Sequence, residues 1–366
     1  MAPTHILSAR EFTRPLVDQI TDRTLTIKNM LGQDNWWKRV PAEEGKTPRQ
    51  ILDGRSVIVL FGQPSTRTRF ALTGAVRALG GFPDATQNAG EELSIAKGES
   101  LAATGRILSH NPTVFAIVAR LSGDRVRQLA AGSRVPVINA GDGYEHPIQA
   151  LKDIMTIKEE YGQVDGLHFV VAGDLHARTA RSFLEALALY DRVRISLVSP
   201  PELSLPEDVK EYLSSRGVPF TEDPRDLLEV MKGADGIYLT RAQKENWTTD
   251  TMPEFHKQMY DREIRSHGGL DHKTMEVCAQ NYIDRLEQDH ALQCGINAEM
   301  IASMPEGFRV LHPLPNGPEL ADDLHPDDPT DPRLAHMRQA QNGGSLGIAV
   351  LEMLYSHDWH RLASTR

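Results

Sequence analysis

Short, unbroken apolar runs separated by helix-length segments constrain this chain more than any other feature. Runs of strand length occur at 56–61 (SVIVLF), 114–119 (VFAIVA), 135–140 (VPVINA), 168–174 (HFVVAGD), 194–200 (RISLVSP), 236–240 (GIYLT) and 309–314 (RVLHPL). Continuous apolarity, as opposed to strict alternation, marks strands covered on both faces. Helical patterns fill the gaps. Over 12–31, Leu16, Val17, Ile20, Ile27 and Leu31 share one stripe, with Thr24 as a polar interruption. Others follow Ser65, recur near 100–109, over 147–161, 179–190 and 206–216, and close the chain at about 334–356. Strand–helix–strand alternation is the pattern of a parallel sheet with helices on its faces, and it argues against all-β and helical-bundle classes. At roughly 150 residues per domain, a chain of 366 residues is expected to form two α/β domains, joined near residue 148. The polar stretch 82–100 and the acidic 322–333 read as loops, and 244–306 as a long, charged, poorly periodic segment.

Composition removes several function classes. Lys+Arg is 40 and Asp+Glu is 50, a formal net charge of −10, so no broad cationic field is available for nucleic acid or anionic lipid. Cys278 and Cys294 are too few and too far apart for a disulfide framework or a CxxC zinc site, and a reducing cytoplasmic location is expected. The N-terminal stretch lacks the apolar core of a secretory signal, and no 18-residue apolar run suggests a membrane span. His267 and His272 have no trusted ligand spacing, so no metal is assigned; neither GxxxxGK[ST] nor GxGxxG is present.

The richest chemistry lies in Ser65-Thr66-Arg67-Thr68-Arg69, between a buried strand and a helix. Three hydroxyls and two guanidiniums gather where helix N–H groups are unpaired and the dipole is positive, which suits a phosphate or another dianion. The plain alternative is an N-cap followed by surface arginines. A second loop, Asn139 to Gln149, follows the strand VPVINA, and its His146 precedes a proline at a helix start. A helix N-terminus disfavours imidazolium, so a neutral His146 can donate one hydrogen bond to a carbonyl oxygen, unless it is merely a loop histidine satisfied locally. Arg178, Arg241 and Gln243 follow two further strands, where two arginines suit a dicarboxylate. His312-Pro313-Leu314-Pro315 ends another strand, and Leu314–Pro315 is a candidate cis bond. With no nucleophilic dyad and no carboxylate pair, the set favours group transfer run by positioning and electrostatics.

FGQPSTRTRF, SIAKGES, NAGDGYEHPIQALKDIMTI, VVAGDLHARTARS, YLTRAQKENW and HPLP, in this order from about 55 to 355, resemble the aspartate carbamoyltransferase catalytic chains. The resemblance implies the carbamoyltransferase fold, two doubly wound parallel-sheet domains: a carbamoyl-phosphate domain over 1–148, with a C-terminal helix of about 340–366 returning to it, and an amino-acid domain over 149–339. It implies that Ser65, Thr66, Arg67 and Thr68 hold the phosphate, that Arg120 bridges phosphate and carbonyl oxygen, and that His146 polarises the carbonyl. Gln149 and the backbone at Pro313, Leu314 and Pro315 would orient the carbamoyl amide; Arg178, Arg241 and Gln243 would hold the acceptor's carboxylates. Lys97 would reach a neighbouring subunit's site in a homotrimer. The implied reaction is carbamoyl transfer to L-aspartate, in pyrimidine biosynthesis, without a cofactor.

Five departures from the family pattern keep alternatives open. Leu93 stands where a serine is usual, with Ser94 one later; Asn316 follows HPLP in place of arginine; Gly347 lies near another expected arginine. GDLHART is one residue short, and the stretch between Trp247 and His312 is long. The alternatives are a carbamoyltransferase with a different amine acceptor and an inactive structural homologue.

Overall fold

The computed structural model describes residues 5–39, 45–86, 98–222, 226–243, 272–324 and 331–356. Two compact units emerge: unit one is Met1–Asp165, Arg181–Asp191 and Arg338–Arg366, and unit two is Gly166–Ala180 and Arg192–Met337.

Unit one is built on a parallel sheet of β1 (Ser56–Phe61), β2 (Phe82–Thr86), β3 (Val114–Arg120) and β4 (Val137–Asn139), in the order β2-β1-β3-β4. The apolar runs form β1, β3 and β4 as expected. β2 lies where a loop was expected: it is an edge strand with polar composition and largely exposed residues, so burial left no apolar signature in FPDAT. The helices of this unit are α1 (Arg14–Leu31), α2 (Thr66–Ala78), α3 (Leu101–Leu108), α4 (Arg125–Gly132), α5 (Pro147–Tyr161) and α12 (Gly343–Tyr355). Thr13 caps α1, accepting the Leu16 N–H at 3.4 Å, and the interrupting Thr24 is satisfied inside the helix by donating to the Ile20 carbonyl at 2.7 Å.

The 147–161 helix, placed at the start of the second domain by the sequence reading, lies in unit one. α5 packs on α1, and Lys158 pairs with Asp18 at 2.7 Å. α12 packs on α1 and α2, so the C-terminal helix does return to unit one. The contact explains Gly347: a Cβ there would stand 2.9 Å from Ala75 Cβ, leaving no room for an arginine unless α12 moved off α2.

Unit two carries a five-stranded parallel sheet of β5 (His168–Gly173), β6 (Arg194–Val198), β7 (Phe220–Glu222), β8 (Gly236–Thr240) and β9 (Arg309–Leu311), ordered β7-β6-β5-β8-β9. Val170, Ile237 and Val310, fully buried, form the centre of its core with Phe308 and Leu320. Around the sheet run α6 (Arg178–Leu187), α7 (Glu207–Ser215), α8 (Leu227–Met231), α9 (His272–Cys294) and α10 (Ala298–Ala302). Residues of α6 from Arg181 onward belong to unit one. The 23-residue α9 falls in the segment that reads as poorly periodic. Its buried stripe is Tyr282, Leu286, His290 and Cys294, four residues apart, and a histidine and a cysteine hide the helical period from an apolar count. The final pattern at 334–356 splits into α11 (His336–Gln341) and α12.

Candidate active site

In unit one the sheet order turns at β1 and β3: β1 leads outward to β2, and β3 to β4 on the other side. Segments leaving the carboxyl ends of such a strand pair part company and open a crevice. Ser65–Arg69 follow β1 there, and Arg120 is the last residue of β3, in register with Phe61.

Ser65 occupies the N-cap position of α2, yet its side chain makes no capping bond. The first-turn N–H groups therefore receive nothing from it, and a positive helix end faces the crevice with Thr66 and Arg67 in its first turn. Arg67 and Thr68 line a small cleft with His146, Gln149 and Lys152 of α5, closed by Ala340, Gly343 and Leu346. Partial desolvation lowers the Arg67 pKa from its ordinary value, but arginine stays protonated at any working pH.

The loop from β4 to α5 is held by a carboxylate that sequence reading passed over. Buried Asp142 accepts the Tyr144 and Glu145 N–H groups at 2.7 Å each and the Asn139 amide at 2.8 Å. Burial raises its pKa against those bonds. His146 then caps α5: its Nδ1 accepts the Gln149 N–H at 3.2 Å, and its own N–H donates to Ser182 Oγ at 2.9 Å. With Nδ1 accepting, the neutral ring carries its proton on Nε2, the tautomer that donates.

Arg120 donates from Nη1 to the Ala140 carbonyl at 3.1 Å. Gly141, at φ +107°, sits between the two site residues; a Cβ there would come within 2.5 Å of Arg120 Nη1 and 2.9 Å of His146 Cδ2. Gln149 donates its amide to Asp153 Oδ1 at 2.6 Å, an oxygen that Gln339 also reaches at 2.6 Å. A carboxylate only accepts, so the Gln149 amide oxygen is left to accept from a ligand's NH2 group. Arg67, Thr68, His146 and Gln149 thus meet in one cleft, and Arg120 joins His146 across Gly141.

Unit two repeats the topological device. Its order turns between β5 and β8, which lead outward to β6 and β9. Arg178 opens α6 after β5, and Arg241 and Gln243 follow β8. Buried Asp174 ties the two exits together: its carbonyl accepts the Thr240 hydroxyl at 2.9 Å, and its carboxylate accepts the His176 N–H at 3.0 Å and the Gln243 N–H at 3.3 Å. Beyond β9, Leu314–Pro315 is cis as anticipated, and Leu314 has φ +56°. His312 Nδ1 accepts the Leu314 N–H at 2.9 Å, so its Nε2–H donates to Glu319 at 2.9 Å; Glu319 also accepts the Gly317 N–H at 2.7 Å. Burial pushes the Glu319 carboxyl up, but the hydrogen bond from His312 and that from Gly317 outweigh it and hold the carboxyl below its usual range.

Glu319 therefore contributes stability in full above the ordinary carboxylate pKa, and loses it as pH falls through the lowered value. Glu319→Gln is expected to cost about 1–3 kcal/mol at pH 7 and to flatten the acid side of the stability profile. Calorimetric melting at pH 7 and pH 4 checks both; an unchanged profile contradicts the role.

A helix end suited to an anion, a neutral donor, an amide acceptor and a separate arginine pair are what transfer of an uncharged group from a phosphate needs. Family models agree over nearly all of the chain: the aspartate/ornithine carbamoyltransferase carbamoyl-P binding domain matches residues 4–159, and the Asp/Orn binding domain residues 165–354. The chain belongs to the aspartate/ornithine carbamoyltransferase family. The chloroplastic aspartate carbamoyltransferase of Oryza sativa is 32% identical over 351 residues, covering 95% of this chain and 84% of that protein. The aspartate carbamoyltransferase catalytic subunit of Archaeoglobus fulgidus is 36% identical over 310 residues, 84% and 88% of the two chains. A crystal structure of Trypanosoma cruzi aspartate transcarbamoylase in complex with N-(phosphonacetyl)-L-aspartic acid superposes with a TM-score of 0.74 at 28% identity, over 96% and 95% of the chains.

Within this carbamoyltransferase, Lys97, Leu93 and Ser94 lie outside the described residues, as does 244–271. Among the described residues no cluster of histidine, cysteine or carboxylate side chains has metal-binding geometry, and no helix is long and apolar enough to cross a membrane. Asp142, Asp153, Asp174, Glu319 and Gly141 are the positions that sequence reading missed. Each acts by holding another group in place, and nothing in local composition separates one such carboxylate from the many on the surface.

Proposed function

We propose that this chain transfers the carbamoyl group of carbamoyl phosphate to the amino group of L-aspartate, giving N-carbamoyl-L-aspartate and phosphate, a step of pyrimidine biosynthesis. The cleft of Arg67, Thr68, His146 and Gln149 at the head of α2 carries this reading. The ligand of the T. cruzi relative supports it, since its name joins a phosphonate to aspartate. Unit one is the carbamoyl-phosphate domain: Ser65, Thr66, Arg67, Thr68 and the first N–H groups of α2 hold the phosphate. Arg120 spans phosphate and carbonyl oxygen, and His146 Nε2–H donates to that oxygen. Gln149 accepts from the carbamoyl NH2. Unit two is the acceptor domain, in which Arg178, Arg241 and Gln243 hold the two carboxylates of aspartate. The neutral amine attacks the carbamoyl carbon, and Arg120 and His146 stabilise the tetrahedral oxyanion. The bond from carbon to the phosphate oxygen then breaks, and the amine proton passes to an oxygen of the departing phosphate. The chemistry calls for no cofactor.

Calorimetric titration with N-(phosphonacetyl)-L-aspartic acid tests the substrate pair. Binding far tighter than phosphate alone is expected. Equal affinity for the two would keep the phosphate half and reject aspartate, in favour of another amine acceptor. Arg241→Ala is expected to raise the aspartate KM about 10- to 100-fold while leaving carbamoyl-phosphate binding within about twofold, the signature of a lost acceptor contact. A KM for aspartate equal to that of the parent enzyme would remove Arg241 from the site.

The same reading makes the enzyme a homotrimer in a cytoplasmic setting, with Lys97 completing a neighbour's site. Unit one exposes Phe70, Phe82, Ile107 and Tyr144, each 59–65% accessible, as apolar surface suited to association. Light scattering should give three chains. Mixing the separately inactive Lys97→Ala and Arg67→Ala proteins should restore turnover, and a mixture as inactive as its parts would contradict shared sites.

A further inference from the structure

Lys152 has no part in the roles assigned above. It lies three residues after Gln149 on α5, so the two share a helix face, and both line the cleft with Arg67 and Thr68. It is only 8% exposed. A lysine taken from water is costly unless its ammonium finds acceptors, and none of the described residues hydrogen-bonds Lys152 Nζ. Asp153 beside it is engaged by Gln149 and Gln339. From α2 the charged group facing it is Arg67, from α5 Asp153 and the titratable His146; the C-terminal segment offers the cleft Ala340, Gly343 and Leu346, none of which titrates. Among the described residues, no carboxylate of the opposing wall balances the two adjacent cations.

Two adjacent cations whose one neighbouring carboxylate, Asp153, is already engaged by Gln149 and Gln339 make a binding arrangement for a dianion. We propose that Lys152 is a second cation of the phosphate half: its ammonium, with the Arg67 guanidinium, ligates the phosphoryl group of carbamoyl phosphate and the phosphate product. This rests on reading the cleft as the phosphate site. Desolvation, opposed by Asp153 and aided by Arg67, brings the Lys152 pKa down to about 8. The empty site therefore sheds this charge as pH rises through 8, and a bound dianion holds the proton in place.

Titration calorimetry with inorganic phosphate tests this. Binding is the readout, since the amine of aspartate titrates in the same range and would confound turnover. Wild-type affinity is expected to fall roughly sixfold from pH 7.5 to pH 9.0, the loss of the Lys152 proton being partly offset by the rising share of phosphate dianion, with close to one proton taken up per phosphate at pH 9.0, read from buffers of different ionisation enthalpy. Lys152→Met, which keeps the apolar stem, should bind about tenfold more weakly at pH 7.5, with no fall above it and no proton uptake. Lys152→Met with wild-type affinity and pH dependence overturns the proposal. So does a wild type without proton uptake, a result that needs no variant to fold. Arg67→Ala separates the two claims: weakened binding there with an unaltered Lys152→Met rejects Lys152 alone, whereas wild-type binding in Arg67→Ala rejects the cleft as the phosphate site.

Discussion

Arg67→Ala is expected to lower kcat/KM for carbamoyl phosphate roughly 100- to 10,000-fold with any acceptor. The guanidinium at the first turn of α2 offers a bidentate fork, and each hydrogen bond to a charged group contributes about 1.5–3 kcal/mol. No neighbour reproduces the fork. Lys152 supplies a point charge in the same cleft, and Arg69 directs its guanidinium over the Phe70 ring at 4.8 Å. The fold should survive, because the buried residues of α2 are Leu72, Thr73, Ala75 and Val76, further along the helix. Steady-state kinetics with a melting curve as control measure this. Undiminished turnover from a folded variant would remove the helix end from the mechanism.

Gly141→Ala should also be damaging, although it replaces no ligand-binding side chain. An alanine at φ +107° carries backbone strain of about 1–3 kcal/mol. Its Cβ would also press on Arg120 Nη1 at 2.5 Å and on His146 Cδ2 at 2.9 Å. His146 has little freedom to yield, since its ring is held by the Gln149 N–H and its backbone by Ser182. Arg120 is expected to swing away, losing its bond to the Ala140 carbonyl and its place beside the carbonyl oxygen of the substrate. A displacement of about 1 Å at such a group costs about 100-fold, so kcat should fall by that order, while phosphate affinity falls less, because the ligands on α2 stay in place. Kinetics and phosphate titration read the two effects separately. A wild-type kcat would show that the close approach at Gly141 has no catalytic consequence.

The legible part of the fold follows from burial. Strands covered on both faces, such as β1, β3, β5 and β8, must be apolar along their interiors, and they are, with polar residues only at their ends. The edge strands β2 and β7 carry no such constraint: FPDAT reads as loop, and FTE raises no strand signal. In α9 the inward stripe admits His290 because its Nε2 meets the Thr240 carbonyl at 2.8 Å. That satisfaction depends on the assembled sheet and leaves no local trace. The site divides in the same way. Arginines and hydroxyls crowded into STRTR are conspicuous, because a phosphate needs several donors at once. The groups that hold the other site segments in place, Asp142 and Asp153 in unit one and Asp174 and Glu319 in unit two, are single acids in a chain with 50 acidic residues. That acidity, with a net charge of −10, also conceals the local sign of the cleft, where Arg67 and Lys152 stand together.

Turnover of carbamoyl phosphate in the presence of L-aspartate, following phosphate and N-carbamoyl-L-aspartate together, tests the central claim most directly. One carbamoyl aspartate for each phosphate released above the spontaneous rate is the expected result. Phosphate released without carbamoyl aspartate, or only when a different amine is supplied, would contradict it.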